Sequence, residues 1–434
     1  MKKNRILSIL LGLAMIVSLA GCGNSNAPTE SQGSSVAEQS STAEGGEASG
    51  TAEKEQITLW HYYTTVNGEN FEKLVGEYNE IPEGKVQVKL ELIPRNELLK
   101  KYTLGIASGD LPEIALVDNP DAPSFAAAGM FVDLTDKLAA SEIPFVEGPL
   151  LSGQYDGKQY TLPFRSNCLG MFVNDAHLEA AGVDKIPETW DELLEACEKL
   201  KGANGSAYAF GMSAVKSAEG VFHFMPFFGS TGATVDTINS DAGVKAFQLY
   251  DTLSSNGYIS AECINWTQND VEKQFAAGNV SMMINGSWQI SNLTADAPDL
   301  EYTIAYIPKD VKSVSSLGGE NIGITTSAKD VDACWDFVSW MLSKEKNVPF
   351  NVSGATFSPR ADVTPEEQYP DDEKMQMFVT LFQVAEPRGP HPKWTEISGA
   401  FEEGIQSVLT KSQTPAEAAA AVAEKVDTIE ASVQ

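Results

Sequence analysis

Residues 57–61, with the sequence ITLWH, form a short apolar and β-branched run that opens an alternating series of strands and helices. Apolar residues at helical spacing follow at 70–79. Apolar and polar residues then alternate over 86–92, a second helical pattern stops at Gly109, and residues 114–117 are continuously apolar. Strands that alternate with helices predict an α/β fold with a parallel sheet and right-handed crossovers.

The ends of these strands are the first candidates for a binding site. In open α/β sheets, ligands bind beyond the carboxyl ends of the strands. Tyr62 and Tyr63 follow the first predicted strand, and Asp118 and Asn119 follow the third. We therefore expect these four residues to contact a ligand.

Length and charge limit the classes of protein that the chain can represent. Its 434 residues are enough for two or three domains. Apolar residues make up 42% and charged residues 21%, which is typical of a globular protein and excludes disorder throughout the chain. Acidic residues outnumber basic residues 60 to 30, and because such a surface repels polyanions, no nucleic-acid partner is expected.

The first residues have the features of a secretory signal: a basic start, an apolar run over 6–19, and two small residues. Residues 19–22, with the sequence LAGC, resemble a bacterial lipobox. This predicts a lipoprotein signal peptide at 1–21, lipidation of Cys22, and attachment to the extracellular face of the bacterial cell membrane. The stretch 22–55 is dominated by Ser, Gly, Glu and Thr, and is expected to be a disordered tether.

Reactive chemistry has little support in the sequence. No zinc, phosphate-binding or hydrolase motif is found, so no metal, no cofactor and no enzymatic activity are expected. A secreted glycosidase remains an alternative, because any chain with 60 carboxylates can place two at catalytic separation. Four cysteines beyond Cys22 permit disulfides but favour buried thiols, since two of them lie on apolar helix faces; they are Cys168, Cys197, Cys263 and Cys334.

Local signals predict three further helices. Thr189 and Glu192 form a capping box, and Thr414 and Glu417 repeat it. An amphipathic pattern predicts a helix over about 328–344.

The chain as a whole resembles the family 1 extracellular solute-binding proteins. The motifs that carry the resemblance occur in the family's order across about 380 residues: YDGK at 155–158 with YTLPF at 160–164, VND at 173–175, AGV at 181–183, PETWDEL at 187–193, FAAG at 275–278, INGSW at 284–288, LGG at 317–319 and CWDF at 334–337.

The resemblance implies a two-lobed fold of the type II periplasmic-binding-protein class, in which each lobe is a mostly parallel sheet flanked by helices and crossing strands form the hinge. It implies an amino-terminal lobe of residues 55–167 and 306–348, and a carboxy-terminal lobe of residues 168–305 and 349–434. The implied function is to capture a sugar or oligosaccharide as a monomer and to deliver it to the permease subunits of an ABC transporter. A glycerol-phosphate ester or another anionic solute is the alternative ligand.

The same resemblance extends the expected ligand site to both lobes. Trp288 matches a sugar-stacking tryptophan of the family's maltose-binding member, and Trp394 falls near that family's aromatic contacts, although its spacing also fits a buried stripe. Arg165, Arg360 and Arg388 fall in loops that the resemblance places near the hinge or cleft, where ligand contact and ion pairing between lobes or at the hinge remain equal alternatives. Two further residues complete the expected site: Glu320 and His391.

Overall fold

The computed structural model describes residues 54–202 and 206–432 of the chain. The predicted signal peptide, Cys22 and the predicted tether as far as residue 53 lie outside the described residues. The first strand begins at Glu55, two residues before the predicted start. The strands of the described ranges are β1 (Glu55–His61), β2 (Val86–Leu92), β3 (Ile114–Asp118), β4 (Gln154–Tyr155), β5 (Lys158–Gln159), β6 (Leu162–Asn174), β7 (Tyr208–Gly211), β8 (Val280–Gly286), β9 (Tyr302–Ala305), β10 (Ser315–Ile324) and β11 (Ala385–Glu386).

Helices occupy most of the remaining chain in the described ranges. They are α1 (Thr65–Asn79), α2 (Arg95–Ser108), α3 (Ala122–Ala127), α4 (Thr135–Ser141), α5 (Glu147–Leu151), α6 (Asp175–Ala180), α7 (Trp190–Leu200), α8 (Ala218–Ser230), α9 (Asp241–Ser255), α10 (Gln268–Ala276), α11 (Gln289–Asp296), α12 (Val331–Met341), α13 (Lys344–Ser353), α14 (Pro365–Gln368), α15 (Glu373–Phe382), α16 (Trp394–Leu409) and α17 (Pro415–Ala431). Short 3-10 turns cover Asn119–Asp121, Val235–Thr237 and Ala261–Ile264.

Nine strands form one sheet in the order β2-β1-β3-β10-β6-β8-β7, with β11 beside β10 and β9 beside β6. β1 is parallel to β2 and β3, and β7 is parallel to β8. β10 is antiparallel to β3 and β6, and β6 is antiparallel to β8 and β9. The α/β class is therefore confirmed, but the sheet is mixed, because the two central strands β6 and β10 run in opposite directions.

Glycine is required where β10 crosses β6. Gly319 has a φ of +126°, and a Cβ there would overlap the carbonyl oxygen of Arg165. The pairing of β10 with β6 shifts register between Glu320 and Asn321. The two central strands thus approach more closely at this point than any other residue type would allow.

The apolar core is divided into clusters, and the central strands pass from one cluster to another. Phe164 on β6 and Ile322 on β10 belong to the cluster that includes β1, α1 and α12. Cys168 on β6 and Leu317 on β10 belong to the cluster around α15. A larger cluster joins α7, α8, α9, α16 and α17. Both central strands therefore leave the first cluster within a few residues of Gly319.

Four cysteines within the described ranges are free thiols, and all four are buried; they are Cys168, Cys197, Cys263 and Cys334. The expectation of buried thiols is confirmed. Burial raises the pKa of the Cys263 and Cys334 thiols to about 12.

The predicted helix caps are present. Thr189 and Glu192 make both hydrogen bonds of a capping box at the start of α7, and Thr414 does the same with Glu417 at α17. The helix predicted over about 328–344 instead begins at Val331, because the Asp330 carboxylate accepts the Ala333 N–H and fixes the start there. Within the described ranges, no helix combines the length and apolar composition needed to cross a bilayer.

Candidate ligand-binding site

A cavity of about 260 Å³ lies beside the carboxyl ends of β1 and β3. Tyr62 follows the last residue of β1, and Asp118 is the last residue of β3. Asp121, in the 3-10 turn after β3, and Leu98 and Leu99 on α2 continue this wall. The strand-end rule therefore selected two of the residues that line the cavity.

The opposite wall is formed by α16 and the segment that precedes it. Trp394, Ser398 and Glu402 are spaced four residues apart and line the cavity from one face of α16. Arg388 lines it from the preceding segment. The walls meet where the hydroxyl of Thr395 donates to the Asp121 carboxylate at 3.4 Å.

Carboxylates outnumber cationic groups among the residues that line this cavity. Asp118, Asp121 and Glu402 contribute acidic groups, and Arg388 is the one basic side chain among the described lining residues. Burial raises the pKa of Glu402, while the Ser398 hydroxyl, which donates to this carboxylate at 3.5 Å, acts in the opposite direction. The cavity therefore offers many hydrogen-bond acceptors beside a single fork of guanidinium donors.

Four of the eleven predicted ligand residues line the cavity: Tyr62, Asp118, Arg388 and Trp394. Trp394 is only 3% exposed and also belongs to the core cluster around α8 and α16. Trp394 is therefore both a core residue and a lining residue of the cavity.

A buried polar cluster adjoins the cavity through Tyr62. The Tyr62 hydroxyl donates to the Glu320 carboxylate at 3.0 Å. The Arg165 guanidinium lies 5.3 Å from the centre of the Tyr63 ring and donates to the carbonyl of Gly354 at 2.9 Å. Burial, followed by the charge of Glu320, raises the pKa of Tyr63 well above its usual range. Arg165, Tyr63 and Glu320 thus connect β1, β6, β10 and the segment after α13, but they do not line the cavity.

Arg360 lies away from the cavity in an ion pair. Its guanidinium donates twice to the Asp362 carboxylate, at 2.8 Å for each bond, and once to the Leu342 carbonyl at 2.8 Å. This geometry uses all three guanidinium nitrogens of a side chain that is 9% exposed. The structure therefore shows Arg360 in a local ion pair with a residue of the same predicted lobe, and not in an ion pair between lobes.

Asn119 and His391 also lie outside the residues that line the cavity. Asn119 is 3% exposed, and its Oδ1 has no hydrogen-bond partner among the described residues. His391 accepts the Lys393 backbone N–H through Nδ1 at 3.0 Å, and its Nε2 lies 2.8 Å from the Glu430 carboxylate. The contacts of His391 link the start of α16 to α17.

Trp288 is half-buried directly after β8 and does not line the cavity. Its ring lies over Gly286, where a Cβ would overlap it, which explains the glycine. The indole also stacks on Phe222, with ring centres 6.3 Å apart and planes inclined by 25°. Phe222 in turn lies beside Arg388, so Phe222 connects Trp288 to the cavity wall.

The sequence analysis missed several residues that form or support the cavity: Leu98, Leu99, Phe222, Ser398 and Glu402. The last two carried a usable signal, since they follow Trp394 by four and eight residues, a spacing that places all three on one face of a helix. Phe222 carried none, because it sits in an apolar run in which every ring is an equally good core residue.

The arrangement is suited to holding a small polar molecule by rings and hydrogen bonds. Within the described residues, no group of three or more His, Cys, Asp or Glu side chains is placed to hold a metal ion. The cavity instead combines aromatic and aliphatic surface with convergent polar groups, which is the usual composition of a small-molecule site.

Comparison with known proteins gives a consistent result. A sequence profile described as bacterial extracellular solute-binding protein matches residues 73–377. A binding protein of Brucella abortus is 23% identical over 377 residues, which cover 85% of this chain and 91% of that protein. The multiple sugar-binding protein of Streptococcus mutans is 24% identical over 268 residues, which cover 56% of this chain and 61% of that protein.

A solved structure agrees with these sequence matches. The solute-binding protein of an ABC transporter from Thermotoga lettingae, bound with α-D-tagatose, has a TM-score of 0.73 and 26% identity, covering 87% of this chain and all of that one. The two-lobed α/β fold of such binding proteins is thereby shown for this chain. Since the profile spans well over half of the sequence, the chain belongs to the family of bacterial extracellular solute-binding proteins.

Proposed function

We propose that this protein is the extracellular substrate-binding lipoprotein of an ABC importer, which captures a sugar or oligosaccharide and delivers it to the membrane permease subunits. The observation that carries the proposal is the cavity in which the rings of Tyr62 and Trp394 accompany the polar groups of Asp118 and Arg388. Rings cover the apolar face of a sugar, and carboxylate and guanidinium groups bond its hydroxyls.

The relatives support carbohydrate as the class of ligand. One is a multiple sugar-binding protein, and a solved structure of similar fold holds α-D-tagatose. Family membership supports a role in binding solutes outside the cell. On this proposal the protein acts as a monomer, without a cofactor and without catalysing a reaction.

The charges of the cavity favour a neutral sugar over a glycerol-phosphate ester. Three lining carboxylates, Asp118, Asp121 and Glu402, would repel a phosphate, and among the described lining residues only Arg388 would attract it. Sugar hydroxyls, by contrast, donate readily to carboxylates. We therefore rank the anionic solute second.

A ligand screen with two matched variants tests this function. Sugars and phosphoesters are added singly to the purified protein, and a bound solute should raise the unfolding temperature by linkage. Asp118→Asn should then weaken sugar binding about tenfold or more, because a hydrogen bond to a charged group is worth roughly 1.5–3 kcal/mol. Asp332→Asn, on the exposed surface of α12, should leave affinity unchanged.

Three outcomes of the screen would count against the proposal. Stabilisation by phosphoesters alone would reverse the order of the two ligand classes. Equal sugar affinities of the two variants would show that the sugar does not bind in the cavity. Conversion of an oligosaccharide to shorter products would show catalysis.

The proposed lipid anchor has a separate test. In a bacterial host, Cys22→Ser removes the thiol that would be acylated. The variant should remain uncleaved at the lipobox or be shed into the medium, as shown by fractionation and mass spectrometry. A variant that is still acylated and membrane-bound would reject lipidation at Cys22.

A further inference from the structure

Phe222 contacts both Trp288 and the cavity residue Arg388, although Phe222 itself does not line the cavity. Its ring stacks on Trp288 at 6.3 Å, and the Arg388 guanidinium carbon lies 4.5 Å from its centre. Phe222 is 6% exposed and Arg388 is 8% exposed, so the contact is shielded from water. A guanidinium over an aromatic face is attracted by the ring, and this attraction strengthens when both groups are desolvated.

The backbone of Phe222 is fixed by a hydrogen bond from the central sheet. Pro226 lies inside α8 and has no N–H, so the Phe222 carbonyl lacks the helical hydrogen bond that residue 226 would normally donate. The Ser316 hydroxyl of β10 donates to that carbonyl instead, at 2.8 Å. Because of Pro226, the Phe222 carbonyl is available to accept this hydrogen bond from the central sheet, and α8 continues past the proline.

Space for the ring is provided by the same strand. A Cβ on Gly318 would overlap Oδ1 of Asn167 and would also lie 3.1 Å from Cζ of Phe222, so the glycine is required mainly by Asn167 and leaves room for the ring as well. β10 thus supplies both the hydrogen bond that fixes the Phe222 backbone and the glycine that admits its ring. The stacked residues, Trp288, Phe222 and Arg388, are referred to below as the arginine stack.

We infer that Phe222 is a positioning residue for Arg388, and that the arginine stack fixes the guanidinium at the cavity wall for solute binding. The expected effect on affinity rests on the proposed function, whereas the contact between Phe222 and Arg388 does not. Without the ring, Arg388 would keep its charge and its other contacts but lose this one, so its guanidinium would be less ordered and binding would have to order it further. Trp288 then supports the site indirectly, by stacking on Phe222.

A double-mutant cycle tests the contact in the protein without solute. Phe222→Leu and Arg388→Gln should lower the unfolding midpoint less in combination than the sum of their separate effects, because the second change removes a contact that is already lost. Phe224→Leu is the matched control: it makes the same change two residues along α8, in a ring that contacts Phe247 and Tyr250 rather than Arg388. Its effect should add to that of Arg388→Gln. Additive effects for Phe222→Leu would overturn the contact whatever the solute.

The same variants test positioning through solute affinity. Phe222→Leu should weaken sugar binding about tenfold when Arg388 is present, and less than about threefold in the Arg388→Gln background. Ser316→Ala, a smaller change that keeps the ring, should weaken binding about threefold and serves if Phe222→Leu does not fold. Equal losses in both backgrounds, or an unchanged affinity for Ser316→Ala, would overturn positioning. If the wild-type protein binds no sugar while the solute-free cycle still shows coupling, the proposed function fails and the contact stands.

Discussion

Two imidazoles are held neutral by burial. His61 ends β1 and accepts the Tyr63 N–H through Nδ1 at 3.3 Å, and burial lowers its pKa to about 4. His223, in α8, accepts the Ser213 N–H at 3.1 Å, and burial lowers its pKa to about 3. In the unfolded chain each histidine has a pKa near 6.5, so below that pH the unfolded chain binds more protons than the folded protein does.

Stability should therefore fall as the pH is lowered from about 6.5 toward 4. His223 contributes up to roughly 3 kcal/mol to this loss, and His61, whose pKa is lowered less, contributes less. In His223→Asn, the amide oxygen provides an acceptor near the position of Nδ1, and the variant has no imidazole to titrate. Denaturant unfolding at several pH values between 7 and 4 should show a shallower decline for the variant than for the wild type. Parallel curves would mean that His223 does not titrate on unfolding.

Glu272 is a carboxylate buried at a cost. It lies on α10 with 1% exposure, and its Oε1 has no hydrogen-bond partner among the described residues. Burial, and then the charge of Asp296, raises its pKa. A raised carboxyl pKa means that the folded protein holds the proton more tightly than the unfolded chain does. The contribution of Glu272 to stability therefore declines as the pH rises above about 4.5.

Glu272→Gln should accordingly stabilise the protein by about 1 kcal/mol at pH 7. The gain should shrink at pH 4.5, where the carboxyl of the unfolded chain is itself half protonated. Glu424→Gln, an exposed position on α17, is the matched control and should change stability little at either pH. A loss of stability at pH 7 would show that the carboxylate has a favourable partner.

At the scale of elements, α7 depends on its capping box. The Thr189 hydroxyl accepts the Glu192 N–H at 3.3 Å, and the Glu192 carboxylate accepts the Thr189 N–H at 3.1 Å. Thr189→Ala should lower the free energy of unfolding by about 1 kcal/mol. Thr410→Ala, an exposed threonine after α16, should have a smaller effect in the same denaturant titration. Equal effects would mean that the box adds nothing to an ordinary surface threonine.

Such local devices are the part of the fold that the sequence predicts best. The capping boxes and the glycine at residue 109 mark helix ends by chemistry within one turn. Strand direction is a different matter. β10 pairs with strands more than 140 residues earlier in the chain, and nothing in its own pattern records that it runs against them.

The candidate site divides in the same way. Tyr62 and Asp118 were predicted because strand ends are local features, and Trp394 was predicted from the family resemblance. Phe222 was not, since its role depends on a proline four residues later and a serine on another element. Only the tertiary structure brings these three together.

At the scale of the whole molecule, the two central strands pass from one core cluster to another at a single region. β6 and β10 change core cluster close to Gly319, and Arg165 and Gly354 are hydrogen-bonded nearby. We propose that the predicted lobes, 55–167 with 306–348 and 168–305 with 349–434, move about this region. A solute held by both cavity walls should favour the closed arrangement.

Small-angle scattering tests this movement. Saturating sugar should lower the radius of gyration of the wild-type protein, whereas Asp118→Asn at the same sugar concentration should show a smaller change, because less of it is bound. A control with a sugar that gives no thermal shift should show none. Identical profiles with and without bound solute would exclude closure.

The four buried thiols can be used to measure how often the surrounding parts of the core open. Cys334 lies in the cluster of β1 and α12, Cys168 in that of α15, and Cys197 and Cys263 in that of α8 and α16. A thiol reagent reaches each only when its cluster opens, since a buried thiol is unreactive. The labelling rate of each cysteine, followed by peptide mass spectrometry, therefore measures how often each part of the core opens, and whether the parts open together or one at a time.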